Sequence, residues 1–186
     1  MSEGDKLDPR LHFVVATAII VKDGGSAGSP EPKFLIAKRA GHEKAFPNKW
    51  TVPGGKLVLH EYKHLPQAGF RGSEISGTKN GDTVATGNST TPFPQWYNVV
   101  DWVLRKEVRD EVGLEIEKPS YLCDLVFIRP DGYPVVTLSY WALYKSGEVA
   151  LCKDLTDYAW VTVEEAKKYD LIEGIGDELT KVAKLI

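Results

Sequence analysis

A mixed β-sheet held between helices, the α/β class, is the architecture this sequence predicts, and three observations predict it. Runs rich in Val, Ile, Phe and Tyr occur early and late in the chain and read as strands. Apolar residues recur at helical spacing in the middle and at the C-terminal end. Strands, a helix, more strands and a last helix, in that order, call for a sheet covered on both faces. The chain of 186 residues is long enough for one domain with a sizeable core, and no internal repeat divides it. We therefore expect a single domain spanning 1–186.

The elements follow in chain order. "HFVVATAIIVKD" and "KFLIAKR" predict two strands, separated by the Gly/Ser/Pro loop "GGSAGSPEP". "AGHEKAFPNKWTVPGGK" predicts a loop rich in glycine, proline and cations. From about 63 to 95 aliphatic residues are scarce, which predicts a long loop or a weak hairpin around "GDTVATG". Val99, Trp102, Val103, Leu104, Val108 and Val112 form an apolar stripe and predict a helix over about 96–112. "YLCDLVFIRP" and "VVTLSYWALY" predict strands joined by a turn at "DGYP", and "DYAWVTV" predicts another. A short helix begins at "VEEAKKY", and Ile172, Ile175, Leu179, Val182 and Ile186 predict a terminal helix packed on the body.

The middle helix carries a puzzle. In "KEVRDEVGL" the acids Glu107, Asp110 and Glu111 stand at i, i+3 and i+4 and share one face. Each like-charged pair at that spacing costs an isolated helix roughly 0.2–0.5 kcal/mol. Gly113 reads as a left-handed C-cap, so the acids lie towards the helix end where the macrodipole already disfavours negative charge. One resolution is a solvated face on which Lys106 pairs with Asp110 and Arg109 interrupts the acids. The other is a divalent cation with oxygen ligands, which inverts the local electrostatics.

Composition narrows the function. The net charge of −3 predicts no broad nucleic-acid surface. The first apolar run is too short to span a bilayer as a helix and the acidic start is unlike a secretory signal, so we expect a cytoplasmic protein without a membrane partner. Cys123 and Cys152 have no metal-type spacing and are expected to pack. "HEYKH" matches the zinc-protease pattern at His60 and His64, but Gly54, Gly55 and Pro66 bracket it too closely for the helix that pattern requires. The P-loop pattern is absent. His12 and His42 have no partner at ligand spacing.

Two glycines end "WTVPGGK", where φ > 0 and close backbone approach to a ligand are permitted. Glu61 follows Gly55 after five residues, and "GKLVLHE" with the later "KEVRDEVGL" resembles a Nudix box split by an insertion at about 62–97. "WTVPGGK" and "DLTDYAWVTVEEA" are similar to the same family, so the resemblance covers most of 12–186. Lys106 stands where the family has arginine, and Asp110 where it has its first paired glutamate. The resemblance implies a Nudix-type α/β/α sandwich with a central mixed sheet. It also implies Mg²⁺- or Mn²⁺-dependent hydrolysis of a pyrophosphate bond in a nucleoside diphosphate linked to another group, by attack of metal-activated water at phosphorus. The partner is then a small-molecule nucleotide rather than a nucleic acid polymer, and homodimerisation is left open.

Residue roles follow from the resemblance. Glu107, Asp110, Glu111 and the Gly55 carbonyl would hold metal. Glu61 would orient the helix through an ion pair with Lys106, whose ammonium lacks the bidentate fork of arginine. Glu111 or, in the loop before the late tryptophan, Asp154 (with Asp157 beside it) would serve as base. Arg39, Lys56 and a base-stacking Trp50 would meet substrate, the alternatives being a solubilising strand-end charge for Arg39 and simple packing for Trp50. Phe70, Phe93 or Trp96 in the insertion would stack on a base if the insertion is a lid, the alternative being a surface excursion. Pro130 resembles a position of ADP-ribose pyrophosphatases and Tyr133 one of dinucleoside polyphosphate hydrolases. ADP-ribose or a nucleoside diphosphate sugar is the favoured substrate, with nucleoside triphosphate pyrophosphohydrolysis or a non-catalytic nucleotide-binding module as alternatives. Isopentenyl-diphosphate isomerase, on the same fold, would need a cysteine shortly after Trp50, and none occurs there.

Overall fold

In the computed structural model, residues 10–22, 24, 31–65 and 94–186 are described. The expected hairpin at "GDTVATG" and the stacking candidates Phe70 and Phe93 lie outside them. Eight strands form one mixed sheet: β1 (Phe13–Lys22), β2 (Lys33–Arg39), β3 (Trp50–Thr51), β4 (Gly54–Lys56), β5 (Glu115–Ile116), β6 (Ser120–Ile128), β7 (Pro134–Ser146) and β8 (Leu155–Val161). The helices are α1 (Leu59–Tyr62), α2 (Val99–Val112), α3 (Val163–Ala166) and α4 (Ile175–Ala183).

At the centre β1 runs parallel to β7, in register from Phe13 opposite Val135 to Val21 opposite Leu143. A parallel strand covered on both faces reads as a continuous apolar run rather than an alternating one, which is why "AIIV" is buried throughout. β2 is antiparallel to β8 along most of its length, pairs with β1 at one end and β3 at the other, and buries Phe34, Leu35, Ile36 and Ala37 completely. β6 pairs with β7 and leaves Leu125, Val126 and Ile128 exposed.

Two cores lie on opposite faces of the sheet. On one, Leu104, Val108 and Val112 of α2 pack on Ala16, Ala18, Ile20, Leu35 and Ala37. On the other, Ile175, Leu179 and Val182 of α4 pack on Ile19, Val21, Phe34 and Ile36. Alternation along β1 and β2 thus feeds both layers, the α/β/α sandwich the sequence implies. Each fully buried Leu, Ile or Phe contributes about 1.5–3 kcal/mol by area removed from water.

Three boundaries differ from the sequence reading. α2 starts at Val99 rather than near 96, because Asn98 is left-handed (φ 57°) and the Trp96 indole is turned back to donate to the Leu65 carbonyl at 3.1 Å. α4 starts at Ile175 rather than Ile172, behind Gly174 at φ 92°. The glycine-rich loop contains β3 and β4, since Trp50 and Thr51 pair with Lys38 and Ala37 while Gly54 and Gly55 pair with Thr17 and Ala16.

Candidate active site

β4 explains why two glycines stand in "PGGK". A Cβ on Gly54 would lie 2.4 Å from the Ala16 carbonyl oxygen and 2.8 Å from the Thr17 Cα, so backbone blocks any side chain. A Cβ on Gly55 would instead lie 2.4 Å from Cδ of Glu107. The first glycine lets β4 lie against β1; the second lets α2 bring an acid over the strand. The Gly54 amide donates to Glu111 Oε2 at 3.0 Å, so β4 also fixes the second acid of the helix.

Without a cation, the charge puzzle on α2 has two local answers. Lys106 Nζ lies 3.0 Å from Glu107 Oε1, 3.3 Å from Asp110 Oδ2 and 3.7 Å from Glu61 Oε1, one ammonium serving three carboxylates. Burial pulls its pKa down, but Glu107, Asp110 and Glu61 together outweigh that and hold it above the ordinary lysine value. Glu111 is pushed up to about 7, first by burial and then by the neighbouring Glu107, against the opposing pull of the Gly54 amide. Near neutral pH it is therefore partly protonated, and the like-charge repulsion falls. The helix closes at Gly113 (φ 71°), whose amide donates to the Arg109 carbonyl, and Arg109 pairs outward with Glu115 at 2.8 Å.

The acids do not converge on one point in this state. Glu107 and Glu111 face β4, whereas Asp110 is more than half exposed and drawn towards Lys106. Glu61 reaches the same ammonium from α1, and its Oε2 is buried with no hydrogen-bond partner. Among the described residues, the group of three His, Cys, Asp or Glu side chains with ligand atoms within 4.8 Å of one another is His42, Glu43 and Asp154. Sequence spacing missed His42, because its partner Asp154 is 112 residues away and only the pairing of β2 with β8 brings them together.

Arg39 sits at the end of β2, where the register with β8 shifts. Its Nε donates to the Ala45 carbonyl at 2.9 Å and its Nη2 pairs with Glu43. Both Arg39 and Glu43 act electrostatically on Glu111, so this corner borders the acids. Asp154 lies close by: its carbonyl accepts from the Ala40 amide at 2.9 Å, and the nearby Cys152 amide donates to the Glu111 carbonyl at 2.9 Å. Asp157 lies within β8, paired with Lys38, rather than in the loop before it, and accepts from the Tyr158 amide at 2.8 Å.

Two expected substrate residues lie elsewhere. Lys56 follows Gly55 on β4 and so faces the opposite side of the sheet, with Nζ 5.4 Å from the Phe13 ring centroid. Trp50 packs edge-on against Tyr169 at 4.7 Å, within the α4 core. Contrary to the sequence reading, a short helix does form within "HEYKH", since α1 covers His60 and Glu61; His64 faces Trp102, at 6.4 Å between ring centroids, and Glu61 is engaged by Lys106.

No family model matches the sequence, and no curated protein matches it. Solved structures do match the fold. The Nudix domain of Shewanella oneidensis NrtR, solved with ADP ribose, aligns at TM-score 0.62 and 13% identity, covering 100% of this chain and 99% of that one. A MutT Nudix hydrolase from Burkholderia pseudomallei aligns at TM-score 0.61 and 19% identity over 93% and 99%. A Caenorhabditis elegans Ap4A hydrolase binary complex aligns at TM-score 0.56 and 15% identity over 93% and 96%. The split motif in the sequence and the sheet, helix and glycine strand of the structure thus lead to one conclusion: the chain has the Nudix fold.

Proposed function

We propose that the chain, read as one domain, hydrolyses the pyrophosphate bond of a nucleoside diphosphate linked to another group, with Mg²⁺ or Mn²⁺. The observation that carries this reading is the glycine strand under α2, where Gly55 lacks the Cβ that would collide with Glu107 and Gly54 holds Glu111 by its amide. Such a cradle suits a hard cation. The donors are carboxylate oxygens of Glu107, Glu111 and Asp110 and the Gly55 carbonyl, all of the type that Mg²⁺ takes, and Mg²⁺ keeps waters alongside one or two carboxylates. When bound, such a cation acidifies a coordinated water and neutralises charge on the phosphate oxygens.

The protein's own groups divide the remaining work. Lys106 and Glu61 orient α2, and Glu107 and Asp110, now paired with Lys106, would be the carboxylates to hold a cation. Glu111, with Oε2 engaged by Gly54, has Oε1 to accept the proton of the attacking water, and Asp154 is the second candidate base. The water oxygen bonds to one phosphorus as the bridging P–O bond breaks, giving a nucleoside monophosphate and the partner phosphate. Arg39, fixed by Ala45 and Glu43, holds a phosphate oxygen at the rim. ADP-ribose or a nucleoside diphosphate sugar is the first choice of substrate, a choice the ADP-ribose complex of a fold neighbour supports. Cytoplasmic location and a nucleotide partner accord with this chemistry, and no described helix is long and apolar enough to cross a membrane.

The test is monophosphate release from ADP-ribose, a nucleoside diphosphate sugar and a nucleoside triphosphate, with Mg²⁺, with Mn²⁺ and with chelator. Chelator-sensitive turnover is expected, and Glu111→Gln is expected to lower kcat by about 10²–10⁴ while the protein stays folded. Tight nucleotide binding without turnover on every substrate would replace the enzyme reading with a nucleotide-binding module.

A further inference from the structure

The loop after β2 and the loop before β8 meet in a group centred on His42, a residue to which the hydrolytic reading gives no role. His42 Nε2 lies 3.0 Å from Asp154 Oδ1, and a carboxylate oxygen of Glu43 completes a set in which every ligand atom is within 4.8 Å of the others. We infer that His42, Glu43 and Asp154 form a second cation site, selective for a first-row transition ion of the Zn²⁺ class and separate from the acids of α2. The inference does not depend on the hydrolytic reading.

Ligand chemistry sets the selectivity. The α2 acids offer only oxygen donors, which suit Mg²⁺, whereas an imidazole nitrogen with two carboxylates favours Zn²⁺ and its neighbours. Around a tetrahedral Zn²⁺ with bonds near 2.0–2.2 Å, ligand atoms stand roughly 3.3–3.5 Å apart. The His42–Asp154 separation of 3.0 Å is close to that edge, and a Glu43 oxygen lies within 4.8 Å of both. Three protein ligands leave a coordination position for water or a phosphate oxygen.

The surroundings hold the ligands in place. Backbone bonds from Ala40 N to the Asp154 carbonyl (2.9 Å) and from Glu43 N to the Ala40 carbonyl (3.2 Å) tie the two loops. Arg39 grips one oxygen of Glu43, the kind of outer contact that orients a ligating carboxylate and leaves its second oxygen for the ion. Half-exposed His42 and Asp154 leave the group open to ions from solvent.

The experiment is calorimetric titration of the chelator-treated protein with Zn²⁺ in excess Mg²⁺, repeated with Co²⁺ while its visible absorption is followed. One Zn²⁺ per chain is expected, with Co²⁺ absorption of a low-coordinate site. His42→Gln and Asp154→Asn should each weaken Zn²⁺ binding at least about tenfold. Glu107→Gln should leave it unchanged. No Zn²⁺ binding by the parent in excess Mg²⁺, or equal binding by His42→Gln, overturns the inference. Equal loss in Glu107→Gln also overturns it, by assigning the ion to α2. None of these readings needs substrate, so failure here is distinct from failure of the hydrolytic reading.

Discussion

At the residue scale, two adjacent glycines separate stability from function. Gly54→Ala drives a Cβ into the backbone of β1, which cannot retreat without breaking the β1–β4 pairing. Gly55→Ala meets only the Glu107 side chain, whose χ angles can carry it away. We expect Gly54→Ala to lower stability by several kcal/mol, of the order of about 2–4 by overpacking and lost strand pairing. Gly55→Ala should melt close to the parent yet lose affinity for Mg²⁺ by tenfold or more. Thermal melts and Mg²⁺ titrations on both variants check this, and equal melting of the two would refute it. Lys106 shows the same economy, because one ammonium serves carboxylates from α1 and α2.

At the scale of elements, the question is how α2 is set against β4. Its buried stripe of Val103, Leu104, Val108 and Val112 fixes the rotation of the helix, and that rotation aims Glu107 and Glu111 at the glycine strand. The approach from the insertion is fixed by aromatic contacts. Trp96 stacks edge-on with Tyr62 at 5.5 Å and donates to the Leu65 carbonyl at 3.1 Å, so the described chain on either side of the insertion is pinned at one place. Trp96→Ala should cost about 1–2 kcal/mol from the lost hydrogen bond and ring contact. Urea unfolding measures it, and an unchanged midpoint would show that α1 and α2 are held without this contact.

At the scale of the whole molecule, the α4 layer contains a buried acid that couples stability to pH. Glu178 is almost fully buried against the sheet and accepts from Ser139 Oγ at 3.0 Å, and Ser139 lies 3.2 Å from Thr17 Oγ1 on the neighbouring strand. Burial raises its pKa above the ordinary 4.5, against the opposing pull of Ser139 and Lys181. A raised folded-state pKa favours the folded protein fully below the unfolded value, and that stability is lost as pH rises through the folded value. Glu178→Gln keeps an acceptor for Ser139 and removes the charge. It should melt higher than the parent at alkaline pH by roughly a few degrees, and the gap should narrow towards pH ~4.5. Parallel melting curves across that range would remove Glu178 as the cause.

Much of this protein was written in local sequence. Periodicity placed β1, β2, β6, β7, β8 and both longer helices but not the short strands β3, β4 and β5, because apolar spacing of two or of 3.6 is a property of neighbouring residues. "PGGK" and "KEVRDEVGL" named Gly55, Glu61, Lys106, Glu107, Asp110 and Glu111 as one group, and the fold brings them around α1, β4 and α2. Three-dimensional packing decided the rest. Strand alternation turned Lys56 to the opposite face, and the α4 core claimed Trp50 for Tyr169. The pairing of β2 with β8 set His42 beside Asp154. Those outcomes depend on which strands lie side by side, a matter of long-range burial that no short window of sequence contains.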